Sequence, residues 1–186
     1  MDGLDRLDAL LADAAAAEAA RDRARTRSLR EAAEQEATFE GTLVDLAEAG
    51  ADVSVRTVVG RVHRGRVTAV GRDFFVVQDG RRAPALVAFA GTASVRTAPG
   101  GTGREGAVTG RRRGAVAASF ATVLAGLAAE RPSVRIGVVG GEATIAGELR
   151  SVGTDVVAVR GDAGDRPTLV VPVVAVVDVV LLDDAG

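Results

Sequence analysis

The chain has 186 residues, enough for one ordinary domain or two small ones, and 47% of them are hydrophobic, so a core can be built. It has no Cys, which excludes disulfides and thiolate chemistry and fits a reducing cytoplasm, and its acidic start (Asp2, Asp5, Asp8) is unlike a secretory signal. The net charge of −2 hides a segregation: residues 1–50 hold 12 acids and 6 Arg, residues 51–113 hold 4 acids and 12 Arg, and residues 114–186 hold 9 acids and 5 Arg, so only the middle third can attract a polyanion.

Residues 1–38 read as one long helix. Asp2 is placed to cap it, and Leu4, Leu7, Leu11 and Ala14 form an apolar stripe. Beyond Ala20 the segment is Arg, Glu, Asp and Ala, with only Leu29 of any size, so that part is expected to face solvent. Residues 39–97 form a first unit. Phe39, Leu43 and Leu46 give a short helix, with Gly50 as its C-terminal cap. Val-rich strands are expected over 53–59, 62–70, 74–78, 86–89 and 94–97. In the turn Val70-Gly71-Arg72-Asp73 the glycine suggests a type II′ hairpin with a positive φ, fixed by the Asp73 carboxylate. Asp79-Gly80 marks another turn.

Residues 98–110, with Ala98-Pro99-Gly100-Gly101, read as a linker, and residues 111–183 as a second unit. There Val116, Phe120, Val123, Leu124 and Leu127 fall on one helical face, and Pro132 ends the helix. The closing segment Leu169–Leu182 is nearly continuous Val and Leu. It is broken by Pro172 and Asp178 and is too short to span a bilayer. It suits either an interface strand or simple core packing.

The two units align at an offset of 81 residues, rising to 82 after one insertion. Phe39 matches Phe120, Leu46 Leu127, Val53 Val134 and Gly60 Gly141. Gly65 then matches Gly147, Val70 Val152, Gly71 Gly153, Asp73 Asp155, Val77 Val159, and Val95 is matched to Val177. The matched positions are turn glycines and core apolar residues, those a backbone dictates.

Gly65-Arg-Val-Thr-Ala-Val-Gly-Arg-Asp73-Phe-Phe-Val-Val and Gly147-Glu-Leu-Arg-Ser-Val-Gly-Thr-Asp155-Val-Val-Ala-Val resemble the first signature of Sm-like (LSm/Hfq-type) barrels. Leu169-Val-Val-Pro-Val-Val-Ala-Val-Val177 looks like the second. Over residues 39–182 the resemblance implies a mainly β, α+β chain: two tandem five-stranded barrels, each led by a helix. It also implies RNA binding and assembly through strand edges. Val77 and Val159 stand where many members of that family have a base-contacting Asn, and Ala90-Gly91 and Pro172-Val173 replace an Arg-Gly pair. The family's base pocket is therefore not carried over. The whole chain is also similar to a conserved actinobacterial family without an assigned role. Some of its members are labelled Fis-type transcriptional regulators, but the strand-like C-terminus here has no helix-turn-helix pattern.

The candidate phosphate contacts are Arg56, Arg61, Arg64, Arg66 and Arg72, Arg81 and Arg82 in a hairpin loop, and Arg111, Arg112 and Arg113 at the second helix. The bland alternative is a solvated face balancing the acidic helix. Every basic residue is Arg, a pattern of GC-rich genomes, and Phe is the only aromatic residue for bases to stack on. Gly101-Thr-Gly103-Arg-Glu-Gly106 matches GxGxxG by spacing alone, outside any βαβ unit. His63, the only histidine, reads as a surface or strand-edge residue and builds no zinc or triad site. Asp183 and Asp184 read as a solvated tail.

No catalytic constellation, cofactor or metal is expected. The expectation is a cytoplasmic nucleic-acid-binding protein, for RNA more than DNA, that forms homo-oligomers through its sheet edges without a membrane. The alternative is a scaffold whose N-terminal helix holds a protein partner.

Overall fold

A computed structural model describes residues 3–80, 82–97, 116–140, 144–161 and 167–182. Helix α1 (Gly3–Glu36) runs unbroken, and Leu11, residues 15–29 and Glu31 are exposed along it. It forms a unit of its own, separate from residues 40–186. The expected cap Asp2, the linker, and Asp183 and Asp184 lie outside the described residues, as do the side chains of Leu4, Leu7 and Ala14. Among the described residues no helix is long and apolar enough to cross a membrane.

The second unit is built on one antiparallel sheet. Its elements are α2 (Phe39–Glu48), β1 (Asp52–Thr57), β2 (Val62–Val70), β3 (Phe74–Gln78), β4 (Ala85–Ala88), β5 (Thr92–Thr97), α3 (Phe120–Ala128), β6 (Ser133–Val138), β7 (Ile145–Val152), β8 (Val156–Gly161), β9 (Thr168–Pro172) and β10 (Val176–Leu181). A 3-10 turn, Val173–Ala175, joins the last two. The strand order is β5-β1-β2-β3-β4-β10-β6-β7-β8-β9, the same five-strand order written twice.

The duplication extends to register. Val53 pairs with Gly65 as Val134 pairs with Gly147, and Val67 with Val77 as Leu149 with Val159. Both β2 and β7 shift register at the same place, between Val67 and Ala69 and between Leu149 and Ser151. The turns match too: Gly71 N–H donates to Phe74 O at 2.7 Å and Gly153 N–H to Val156 O at 2.8 Å. Gly141, matched to Gly60, lies outside the described residues, and among the described residues one correspondence changes. Val95 faces Val55 while Val179, not Val177, faces Ile136, so the second copy is two residues longer before its last strand.

Glycine sets the bend of each long strand. The first half of β2 pairs with β1 and its second half with β3, handing over at Gly65–Arg66. Gly65 has φ +147°, and a Cβ there would meet the backbone of Gln78 and lie 2.7 Å from Asp79 N. A Cβ on Gly147 would strike the Arg160 carbonyl. The expected result of Gly65→Ala is a loss of about 3 kcal/mol in urea unfolding, since both backbone strain and overlap oppose the side chain.

Closed barrels do not form. No strand pairing among the described residues closes either set of five on itself; instead the outer edge of β4 takes β10, with Leu86 opposite Val179. That pairing satisfies backbone groups a free edge would expose. It also buries both faces of β3 and β4. Phe75, Val77, Ala85 and Val87 enter a first core with Leu43, Val53 and Val55, while Phe74, Leu86 and Ala88 enter a second with Phe120, Leu124, Ile136 and Leu149.

Several local expectations are corrected. Neither Gly71 nor Gly153 has a positive φ, so the hairpins are not type II′; glycine is required at 71 because a Cβ would overlap the Phe74 ring. Gly50 does cap α2, at φ +59°, with Ala51 N–H donating to Leu46 O at 3.1 Å. The second helix begins at Phe120, not before Val116. Val116 lies outside the helix, its N–H donating to Val70 O, and Ser119 caps the helix by accepting from Thr122 N–H. Among the described residues the Asp73 carboxylate makes no bond within its own turn; it accepts the Phe120 N–H at 2.7 Å, so a turn of the first copy caps the helix of the second.

Candidate nucleic-acid interface

Alternation along β1 sends Val53, Val55 and Thr57 inward and Asp52, Ser54 and Arg56 outward. Register then decides what stands beside them. Ser54 lies opposite Arg64 on β2 and opposite Arg96 on β5, so a row runs Arg96-Ser54-Arg64 across three strands. Arg56, between Val62 and Ser94, stands in the next row. With strands about 4.8 Å apart, the outer two arginines of the row are rooted roughly 10 Å from each other, with a hydroxyl between them. Arg56, Arg64 and Arg96 are exposed.

Arg66 shares this face but is partly neutralised, its Nε 3.1 Å from Asp52 Oδ1. Both side chains are well exposed, so the pair adds little stability. Arg72 is exposed at the β2–β3 turn, and its amide donates to Ala118 O at 3.1 Å. Arg82 is exposed in the β3–β4 loop. Arg81, Arg111, Arg112, Arg113 and the Gly101–Gly106 motif lie outside the described residues.

Arg61 is not part of this surface. Its NH1 lies 3.3 Å from Asp178 Oδ2, and His63 Nε2 lies 3.0 Å from the same oxygen. The Arg61 and His63 side chains are 19% and 12% exposed, and Asp178 is fully buried on β10. His63 is therefore a strand-edge residue, on the half of β2 that pairs with β1 alone, but not a surface one: its side chain is one arm of a largely buried polar cluster joining the two repeats. The Arg61 contact is an ion contact without hydrogen-bond alignment, and Asp178 Oδ1 has no hydrogen-bond partner among the described residues. That oxygen fits because residue 137 is glycine; a Cβ there would overlap it.

No protein-family model matches the chain, and no curated protein matches it.

The second repeat supplies an internal comparison for the arginine face. By register, Arg56, Arg64, Arg66 and Arg96 correspond to Gly137, Ala146, Glu148 and Val180. None of the four is basic. Arg135 takes the place of Ser54. Arg150 donates to Glu148 at 2.8 Å, and this bond holds the Glu148 carboxyl below its usual range. The fold is copied and the positive face is not. Arg96 was missing from the sequence-based set because only the β1–β5 register brings it beside Ser54; the signal was alternation within Ser94-Val95-Arg96-Thr97.

Proposed function

We propose that this chain is a non-enzymatic, cytoplasmic nucleic-acid-binding protein built on two tandem Sm-like units, for RNA more than DNA. Its contact surface is the outer face of β5, β1 and β2. The observation that supports this reading most is the gathering of Arg56, Arg64 and Arg96 on one exposed face of the first repeat, at positions the second repeat fills with Gly, Ala and Val. Guanidinium groups suit phosphate oxygens in planar, charge-assisted pairs. No Tyr or Trp is present in the sequence to stack bases, so binding is governed by the backbone of the nucleic acid and has little sequence preference. The Sm-like resemblance favours RNA. The chain acts as a homo-oligomer through its two sheet edges, β5 and β9, which have no outer strand neighbour among the described residues.

The test uses the repeat as its own control. Arg56→Glu/Arg64→Glu is expected to weaken binding of a single-stranded RNA at low salt by at least about tenfold. Arg135→Glu, on the corresponding face of the second repeat, is expected to change it less than about twofold. Equal losses in the two variants, or no binding by the wild-type protein, would reject the assignment. The latter result leaves the scaffold reading, which the exposed length of α1 favours, with that helix as the element that holds a protein partner.

A further inference from the structure

The 12 acids and 6 Arg of residues 1–50 are not evenly mixed. Residues 1–20 hold 5 acids and 1 Arg, residues 31–50 hold 6 acids and no Arg, and residues 21–30, between them, hold 5 Arg and 1 acid. Arg21, Arg23, Arg25 and Arg27 lie in the part of α1 where every residue from 15 to 29 is exposed. None of the four makes an ion pair among the described residues. Arg21 and Arg25, like Arg23 and Arg27, stand four positions apart, the spacing at which like charges repel across one helical turn. A helix that is polar all round draws support from opposite-charge pairs at that spacing; these two pairs are alike, and a polyanion relieves them.

Helical periodicity, about 100° per residue, sorts these positions around the unbroken helix. Arg21 and Arg25 form one edge. Arg23 and Arg27 form another, about 160° away by the shorter arc. Midway along that arc stands Ala24, with Ala20 and Ser28 one turn before and after it. Asp22 and Thr26 fall on the opposite side. The segment therefore has a front of small residues between two rails of arginine, with its one acid at the back.

We propose that this segment of α1 binds duplex DNA, lying in the major groove with the Ala20-Ala24-Ser28 front toward the floor and the two arginine pairs on phosphates of the two walls. With its side chains a helix is about 10–12 Å across, and the major groove of B-form DNA is about 12 Å wide. Small residues on the front let the helix seat deeply, and each arginine reaches the backbone in a charge-assisted pair. The major groove of an RNA duplex is too narrow to take it. A single strand would engage one rail and leave the other repelling. The basic stretch is about 15 Å long, less than half a turn of duplex, and the acidic stretches on both sides confine the contact to it. Phosphate contacts carry no base information, so sequence preference is weak. The site is separate from the arginine face of β5, β1 and β2 and does not rest on the reading above.

Fluorescence anisotropy of the full chain with a labelled DNA duplex of about two helical turns tests this. The wild-type protein is expected to bind at low salt. Arg21→Gln/Arg23→Gln/Arg25→Gln/Arg27→Gln should weaken binding at least about tenfold and make the salt slope shallower by about 3.6. Glutamine is as good a helix former as arginine, and circular dichroism checks that the helix persists. Two charge-matched variants separate groove docking from general attraction. Ala24→Glu, on the front, is expected to lose at least about tenfold and Thr26→Glu, on the back, less than about threefold. Arg56→Gln/Arg64→Gln should leave duplex binding within about twofold, and the quadruple variant should keep its affinity for single-stranded RNA, so the two sites fail separately. Equal losses from Ala24→Glu and Thr26→Glu, equal affinity for an RNA duplex of the same length, or no DNA binding at low salt would overturn the site.

Discussion

Arg61→Met is expected to cost about 3 kcal/mol of unfolding free energy, and Arg61→Met/His63→Ile about 5 kcal/mol, by urea titration of otherwise unaltered protein. The reason lies on β10, far away in sequence. Asp178 is fully buried between β4 and β6, and its side-chain polar contacts among the described residues are Arg61 at 3.3 Å and His63 at 3.0 Å, both on one oxygen. Taking a carboxylate out of water is costly unless its partners remain. Removing them leaves the charge uncompensated at the joint between the repeats. The triple replacement Arg61→Met/His63→Ile/Asp178→Val removes the charge with its partners and is expected to return to within about 1 kcal/mol of wild type. The isoleucine follows the second repeat, which has Ile145 at that position. If Arg61→Met/His63→Ile unfolds like wild type, the cluster does not hold the repeats together.

Phe120→Ala is expected to be comparably severe, at about 4 kcal/mol in the same titration. The ring is buried, with its centroid 5.8 Å from that of Phe74, in the core that Leu86, Leu124 and Ile136 share. Truncation opens a cavity where strands of the first repeat and the helix of the second meet, and removes an aromatic contact across the joint. The backbone N–H to Asp73 survives the substitution, so helix α3 should persist while its packing loosens. Phe120→Leu, which keeps most of the volume, is expected to lose less than half as much. A loss below about 1 kcal/mol for Phe120→Ala would mean that α3 does not seat on β3 and β4.

Much of the architecture was legible because glycine and alternation carry it. Gly65 and Gly147 mark the two bends, Gly50 closes α2, and the Val-rich segments gave strands at nearly their observed limits. What local pattern could not give was pairing between distant segments. Barrel closure and the β4–β10 joint use the same hydrogen-bonding groups of Ala85–Ala88, and only assembly of the whole sheet chooses between them. Asp73 has the sequence of a turn residue, and its role as a cap depends on Phe120, 47 residues later. The helical periodicity at Val116 was misleading because that residue lies before the helix and its N–H is bonded to Val70 O.

The candidate surface was less legible than the fold. A linear run of arginines cannot distinguish Arg61, turned toward a carboxylate 117 positions away, from Arg64, which faces water three residues later. Arg96 lies outside the dense cluster in sequence yet stands in the same row as Arg64. The duplication itself makes the comparison sharp, since one backbone pattern carries arginines in one copy and Gly, Ala, Glu and Val in the other.

The salt dependence of single-stranded RNA binding tests the arginine face most directly. With three phosphate contacts from Arg56, Arg64 and Arg96, the logarithm of the binding constant should fall with the logarithm of salt concentration with a slope of about −2. Arg56→Gln/Arg64→Gln should make that slope shallower by about 1.4 while the protein remains folded. A slope unchanged in the double variant, or a wild-type protein that binds no RNA at low salt, would contradict the assignment.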